Sequence, residues 1–129
     1  MIDTSGRVLV VDDNAVIRAA LTSIIRQDER LTVVGEAASG EAALEAIKTS
    51  KPDVVCLDVL MPGIDGLAVL RRIRDEHPTM RVVIITAGAT PEVVKDALAL
   101  GAHGLVVKPF NASKVLSVIR SALRPAQGH

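Results

Sequence analysis

Polar residues suited to phosphoryl chemistry directly follow four of the five short apolar runs in this chain of 129 residues. They are Asp12 and Asp13, Asp58, Thr86 and Lys108. Three crowded carboxylates repel one another unless a cation neutralises them, and Mg²⁺ prefers oxygen ligands. With Mg²⁺ present, Asp58 could act as a nucleophile toward a phosphoryl group while Lys108 and Thr86 bind the remaining oxygens. These residue types predict Mg²⁺-dependent phosphoryl transfer if the fold brings them together.

The apolar runs predict the elements that position these side chains. They are typical of buried strands at residues 8–11, 31–34, 54–57, 82–85 and 105–107. Helices are predicted after them at 15–27, 40–49, 66–76, 91–100 and 112–123. This alternation predicts a single-domain α/β fold, a doubly wound (βα)5 open parallel sheet of five strands. Ligands bind at the carboxyl ends of strands in such sheets, where the polar residues lie.

Capping residues and composition support the same fold. Asn14 and Asn111 suit helix N-caps, and Thr90 is followed by a proline at the first helical position. Gly101 suits a left-handed helix end. Hydrophobic residues make up 49% of the chain but Phe110 is the one aromatic residue, so the core must be aliphatic, as in parallel sheets covered on both faces.

Charge and residue usage restrict the functions to consider. Lys plus Arg number 15 and Asp plus Glu number 15, so no global field attracts nucleic acid or anionic lipid, and no direct nucleic-acid or membrane partner is expected. The sequence has no apolar run of roughly 20 residues and no signal-peptide pattern, so a cytoplasmic location is expected. Cys56 is expected to be buried and reduced. The three histidines, His77, His103 and His129, are expected to be surface or packing residues.

Four sequence motifs occur in an order that covers nearly the whole chain. They are Val-Asp-Asp-Asn at 11–14, Leu-Asp-Val-Leu-Met-Pro-Gly-Ile-Asp-Gly at 57–66, Thr86-Ala87, and Lys108-Pro109-Phe110. Together they resemble a response-regulator receiver domain of the single-domain chemotaxis type. The resemblance implies a flavodoxin-like sheet with strand order 2-1-3-4-5. It also implies a receiver domain over residues 1–124 and a short C-terminal tail over 125–129.

The resemblance also implies a role for each site residue. Asp58 would be the phospho-acceptor, Asp13 and Asp58 direct Mg²⁺ ligands, Asp12 a ligand acting mainly through water, and the backbone carbonyl of Leu60 the third protein ligand. Thr86 would be the switch hydroxyl that turns toward the phosphoryl group.

The remaining phosphate contacts are implied in the same way. Ala87 would leave space and offer its backbone N–H, and Lys108 would pair with the phosphate. The peptide bond between Lys108 and Pro109 is expected to be cis, as in the family.

Three positions depart from the usual receiver pattern or tune it. Leu105 stands where many receivers have Tyr or Phe, so the aromatic rotamer change that accompanies the threonine movement is not available. Leu60 and Gly88 occupy positions that set the lifetime of the phosphorylated state in the family. Leucine would shield the acyl phosphate from water and glycine holds no attacking water, which together predict slow autodephosphorylation.

A receiver passes its signal through a protein surface. Apolar residues on the fourth helix, fifth strand and fifth helix indicate either such a surface or a wide buried stripe between helices; they are Val93, Val94, Leu100, Leu105 and Leu116. His103-Gly104 replaces the aspartate of an ion-pair lattice through which DNA-binding receivers dimerise, so a monomer or weak dimer is expected.

The function predicted first is a phosphorylation-dependent signalling module, not an enzyme beyond its own phosphorylation and dephosphorylation. Its expected partners are a sensor histidine kinase or histidine phosphotransfer protein and a downstream protein target. One alternative is the isolated receiver of a larger regulator with a DNA-binding or enzymatic output domain. An aspartate-nucleophile phosphatase is disfavoured because Leu60 stands where the second Asp would act as acid and base. An unphosphorylated pseudo-receiver is disfavoured because the acidic residues and the lysine are all present.

Overall fold

The computed structural model of this chain describes residues 5–60, 66–87 and 89–124. Five strands alternate with five helices along these ranges, as the sequence predicts. In chain order the elements are β1 (Gly6–Val11), α1 (Ala15–Ile25), β2 (Leu31–Ala37), α2 (Gly40–Ser50), β3 (Val54–Leu57), α3 (Gly66–Glu76), β4 (Arg81–Thr86), α4 (Pro91–Ala99), β5 (Gly104–Val107) and α5 (Ala112–Leu123).

The strands form one parallel sheet in the order β2-β1-β3-β4-β5. This order confirms the doubly wound, flavodoxin-like fold. Because β1 and β3 are neighbours in the middle of the sheet, the residues that follow them lie beside each other at its carboxyl edge.

Three element ends differ from the sequence prediction by two residues or more, and the first is the start of β1 at Gly6 rather than at residue 8. β2 continues to Ala37, beyond the predicted end at residue 34, after its register with β1 shifts between Val8 and Leu9. The sequence does not indicate this continuation because Gly35 and Glu36 end the apolar run. As an edge strand, β2 needs fewer buried side chains than a central strand. α1 ends at Ile25 rather than at residue 27.

The core consists of two layers, one on each face of the sheet. Alternate residues of the same strand enter opposite layers, as the pleat requires. Leu9 and Val55 pack with α2, α3 and α4, whereas Val10 and Cys56 pack with α1 and α5. This arrangement confirms the aliphatic core and the burial of Cys56, which is a free thiol.

The predicted caps are confirmed. The side chain of Asn14 accepts hydrogen bonds from two backbone N–H groups of α1, and those of Thr90 and Asn111 each accept one at the starts of α4 and α5. Gly101 has a φ of 89°, the left-handed conformation that ends α4. Across the described ranges, no helix has the length and apolar character needed to cross a membrane.

The five apolar residues predicted for the output surface are all buried or partly buried. Leu116 is only 9% exposed and lies in the core, so the buried-stripe interpretation is correct for it. Leu100 and Leu105 are partly buried against the core. Leu98 on α4 and Val107 on β5 are instead 55% and 49% exposed. Exposed apolar side chains therefore occur on α4 and β5, but they are not the ones that the sequence indicated.

Candidate functional site

Asp12 and Asp58 lie side by side at the carboxyl edge of the sheet. Each directly follows a central strand, and the sheet's hydrogen bonding continues into both residues. The backbone N–H of Asp12 donates to the carbonyl of Ala37 at 3.1 Å, and that of Asp58 donates to the carbonyl of Val11 at 3.1 Å. The two residues are 1% and 4% exposed, so the strands hold two carboxylates in a nearly buried position.

Lys108 joins these two carboxylates. Its Nζ donates to Oδ2 of Asp12 at 2.7 Å and to Oδ2 of Asp58 at 3.0 Å. Burial alone would lower the pKa of Lys108, but the hydrogen bonds and charges of the two carboxylates outweigh it and raise the pKa above its ordinary value. Lys108 is therefore a firmly held cation between two acidic side chains.

Backbone N–H groups hold the other oxygens of the two carboxylates. The N–H of Asn14 donates to Oδ1 of Asp12 at 2.9 Å, and the N–H of Leu60 donates to Oδ1 of Asp58 at 2.8 Å. Both bonds connect a residue with its second successor, a geometry typical of Asp at turns. Each carboxylate is thus oriented at both oxygens.

Asp13 completes an acidic cluster. It is exposed, and a carboxylate oxygen from each of Asp12, Asp13 and Asp58 lies within 4.8 Å of the others. Three carboxylates against the single charge of Lys108 leave an excess of negative charge. Such an all-oxygen donor set fits a hard divalent cation such as Mg²⁺ better than a soft metal.

Thr86 ends β4, the strand next to β3, and its side chain is buried. Its carbonyl accepts a hydrogen bond from the backbone N–H of Lys108 at 3.0 Å, which aligns the ends of β4 and β5. Ala87 follows it and is exposed. The peptide bond between Lys108 and Pro109 is cis, as predicted. Gly88 lies outside the described residues.

The motif at 57–66 ends in Gly66, and the structure shows why this position needs a glycine. A Cβ atom at this position would overlap the backbone of Val59, the residue directly after Asp58. Only glycine lets the start of α3 approach the backbone of Val59 so closely. Leu60, the second residue after Asp58, is exposed, with 55% of its surface accessible.

Arg18 contacts the site, although the sequence motifs did not point to it. Its Nη1 donates to the carbonyl of Asp12 at 2.7 Å, and its Nε lies 3.4 Å from Oε1 of Glu36 on β2. The sequence contained one sign of this contact. Arg18 comes four residues after Asn14, the N-cap of the helix that follows the acidic pair. His103, by contrast, accepts a backbone hydrogen bond from Val82 through Nδ1, which agrees with its predicted packing role.

The family model for the response regulator receiver domain matches residues 8–120. The matched range includes Asp12, Asp13, Asp58 and Lys108 and reaches all five strands of the sheet. The chain belongs to the response regulator receiver family.

Curated relatives include both long and short proteins. The chain is 43% identical over 104 residues to a protein-glutamate methylesterase/protein-glutamine glutaminase of Methanosarcina mazei, matching 80% of this chain but 28% of that protein. It is 36% identical over 118 residues to the chemotaxis protein CheY of Listeria monocytogenes, matching 92% of this chain and 98% of that one. The chain thus spans about a third of the methylesterases it matches, such as 35% of the one from Trichodesmium erythraeum.

Solved structures show the same fold. The receiver domain of the putative response regulator NarL from Mycobacterium tuberculosis superimposes with a TM-score of 0.86 and 35% identity, covering 92% of this chain and 96% of that one. CheY from Borrelia burgdorferi, solved as a complex with CheX, BeF₃⁻ and Mg²⁺, has a TM-score of 0.84 and 36% identity, covering 89% of this chain and 87% of that one.

Proposed function

We propose that this receiver accepts a phosphoryl group on Asp58 from the phosphohistidine of a sensor histidine kinase or a histidine phosphotransfer protein. The observation that carries the proposal is the buried Asp58 carboxylate, oriented by Lys108 and the Leu60 N–H within an acidic cluster. In the transfer, the bond between the histidine nitrogen and phosphorus breaks as an Asp58 oxygen bonds to phosphorus. The electron pair of the broken bond remains on the imidazole nitrogen.

The proposal gives the acidic residues the task of holding Mg²⁺. Asp13, Asp58 and the backbone carbonyl of Leu60 would be direct ligands, and Asp12 would act mainly through water. When bound, Mg²⁺ offsets the negative charge of the phosphoryl oxygens and of the cluster. The Borrelia burgdorferi CheY complex with BeF₃⁻ and Mg²⁺ supports this role by similarity.

Three further residues would bind the transferred group. Lys108 already contacts Asp58 and would pair with a phosphoryl oxygen once the acceptor carries one. The Thr86 hydroxyl would turn toward another oxygen, and Ala87 would leave space and donate its backbone N–H. The slow autodephosphorylation predicted from Leu60 and Gly88 remains part of the proposal, and the half-life of the phosphorylated form without phosphatase would measure it.

The output would be a protein contact on α4, β5 and α5. Leu98 and Val107 are exposed apolar side chains on these elements, and phosphorylation would bias this surface between two packings. Leu105 is partly buried at the position of the usual aromatic residue, so a shift of Leu105 would replace the aromatic rotamer change. We expect a monomer or weak dimer in both states.

We propose that the receiver domain spans residues 1–124 and that it turns over no substrate. Leu60 stands where an aspartate-nucleophile phosphatase needs its general acid, so we expect no sustained hydrolysis of p-nitrophenyl phosphate. The proposal includes a cytoplasmic location, where the free thiol of Cys56 stays reduced.

Intact-protein mass spectrometry after incubation with acetyl phosphate and Mg²⁺ tests the acceptor. Wild-type protein should gain the mass of one phosphoryl group, and Asp58→Asn or an EDTA-treated sample should gain none. Asp53→Asn is the matched control, because Asp53 is an exposed aspartate just before β3, at the opposite end of that strand. It should be labelled like the wild type. Labelling of Asp58→Asn to the wild-type level would overturn the assignment.

A further inference from the structure

Arg18 is a mostly buried cation that faces the backbone of the acidic pair rather than its carboxylates. Its side chain is 19% exposed, and its Nη1 donates to the Asp12 carbonyl at 2.7 Å. That carbonyl lies just beyond the last residue of β1, where the strand gives way to the turn that carries Asp13. The guanidinium thus supplies a hydrogen-bond donor at the point where the hydrogen bonding of β1 within the sheet ends.

Holding this carbonyl orients both residues of the acidic pair. The peptide group that joins Asp12 to Asp13 is planar, so fixing its C=O direction also fixes the direction of the Asp13 N–H. The two soft dihedral angles beside this plane determine where each Cα–Cβ bond points. Asp12 is already held by Lys108 and Asn14, whereas the Asp13 side chain is exposed. Orientation of the backbone therefore matters most for Asp13.

Glu36 makes this positioning possible without a large electrostatic cost. An unpaired guanidinium beside a cation site would repel Mg²⁺. Oε1 of Glu36 on β2 lies 3.4 Å from Nε of Arg18, so the pair carries little net charge. In this respect Arg18 differs from Lys108, which contacts the carboxylate oxygens directly.

We propose that Arg18 is a positioning residue for the divalent-cation site, holding the peptide between Asp12 and Asp13 in the orientation that lets the Asp13 carboxylate bind Mg²⁺. This inference rests on the proposed function only in assuming that the acidic cluster binds Mg²⁺. It does not depend on the identity of the phosphoryl donor or on whether Asp58 is phosphorylated.

Mg²⁺ titration followed by two-dimensional NMR, together with urea unfolding in EDTA, tests the proposal. Arg18→Met keeps the aliphatic stem but removes the donors, and should weaken Mg²⁺ binding about tenfold, the loss typical of removing a residue that orients a metal ligand. Arg7→Met is the matched control, because Arg7 also donates to backbone carbonyls, those of Ser50 and Lys51, but at the other end of the sheet. Arg7→Met should bind Mg²⁺ like the wild type even where it loses as much stability as Arg18→Met.

A charge-conserving variant separates geometry from charge. Arg18→Lys keeps the positive charge, but one ammonium group does not reproduce the fork that reaches both the Asp12 carbonyl and Glu36. Its Mg²⁺ affinity should therefore stay near that of Arg18→Met. Wild-type affinity in either Arg18 variant, or an equal loss in Arg7→Met, would overturn the proposal. Wild-type protein that binds Mg²⁺ but is not phosphorylated would refute the proposed function and leave the role of Arg18 intact.

Discussion

Replacing Lys108 with methionine removes the cation between the two buried carboxylates while keeping much of the side-chain volume. At an effective dielectric constant of about 20, charges separated by the observed 2.7 and 3.0 Å attract one another with a gross energy of about 6 kcal/mol per contact. Desolvation offsets most of this attraction, and removing one partner of a buried pair typically costs about 3–5 kcal/mol. Because 17% of the Lys108 side chain remains exposed, we expect the lower value, about 3 kcal/mol.

Urea unfolding followed by circular dichroism measures this loss, since the chain has no Trp or Tyr for fluorescence. With a denaturant slope of about 2 kcal/mol per molar urea, Lys108→Met should lower the midpoint by about 1.5 M in EDTA at neutral pH. Lys114→Met, the same change at an exposed lysine on α5, should alter stability by no more than about 0.5 kcal/mol.

Mg²⁺ should narrow the difference between wild type and Lys108→Met. Lys108 would compete with a bound divalent cation for the same carboxylates, so its removal should tighten Mg²⁺ binding. Each tenfold gain in affinity stabilises the variant by about 1.4 kcal/mol at saturation. Two results would refute this explanation of the role of Lys108. One is that Lys108→Met is as stable as wild type in EDTA, and the other is that saturating Mg²⁺ leaves the stability difference unchanged.

Three further predictions concern the fold around the site. Gly66→Ala should lower the free energy of unfolding by about 3 kcal/mol or more in urea titrations, because its Cβ would overlap the Val59 backbone, and unchanged stability would contradict the contact. The Arg30 backbone N–H and the Arg120 guanidinium hold the pKa of Asp28 below its ordinary value. The stability that this carboxylate contributes is therefore present above about pH 4 and is lost as the pH falls through the lowered pKa. Asp28→Asn should accordingly lower the free energy of unfolding at neutral pH, and urea unfolding should show a smaller loss in acid. Burial raises the pKa of the Cys56 thiol to about 12, so native protein at pH 8 should resist iodoacetamide, and mass spectrometry should detect alkylation only after unfolding.

The sequence determined the element order and most of the site because both depend on local patterns. Apolar runs identify strands, capping residues such as Thr90 identify helix starts, and parallel strands place the residues after their ends at one edge. Asp12, Asp58 and Lys108 could therefore be grouped before any distance was known, and the structure confirms that they are in contact.

Only the tertiary structure decided which side chains meet across elements and which remain exposed. Arg18 reaches both the Asp12 carbonyl and Glu36, and Arg120 pairs with Asp28 across 92 residues of sequence. Leu116 is buried while Leu98 is exposed, although both are leucines on amphipathic helices. Burial and ion pairing depend on how neighbouring helices rotate against the sheet, and sequence periodicity does not specify that rotation.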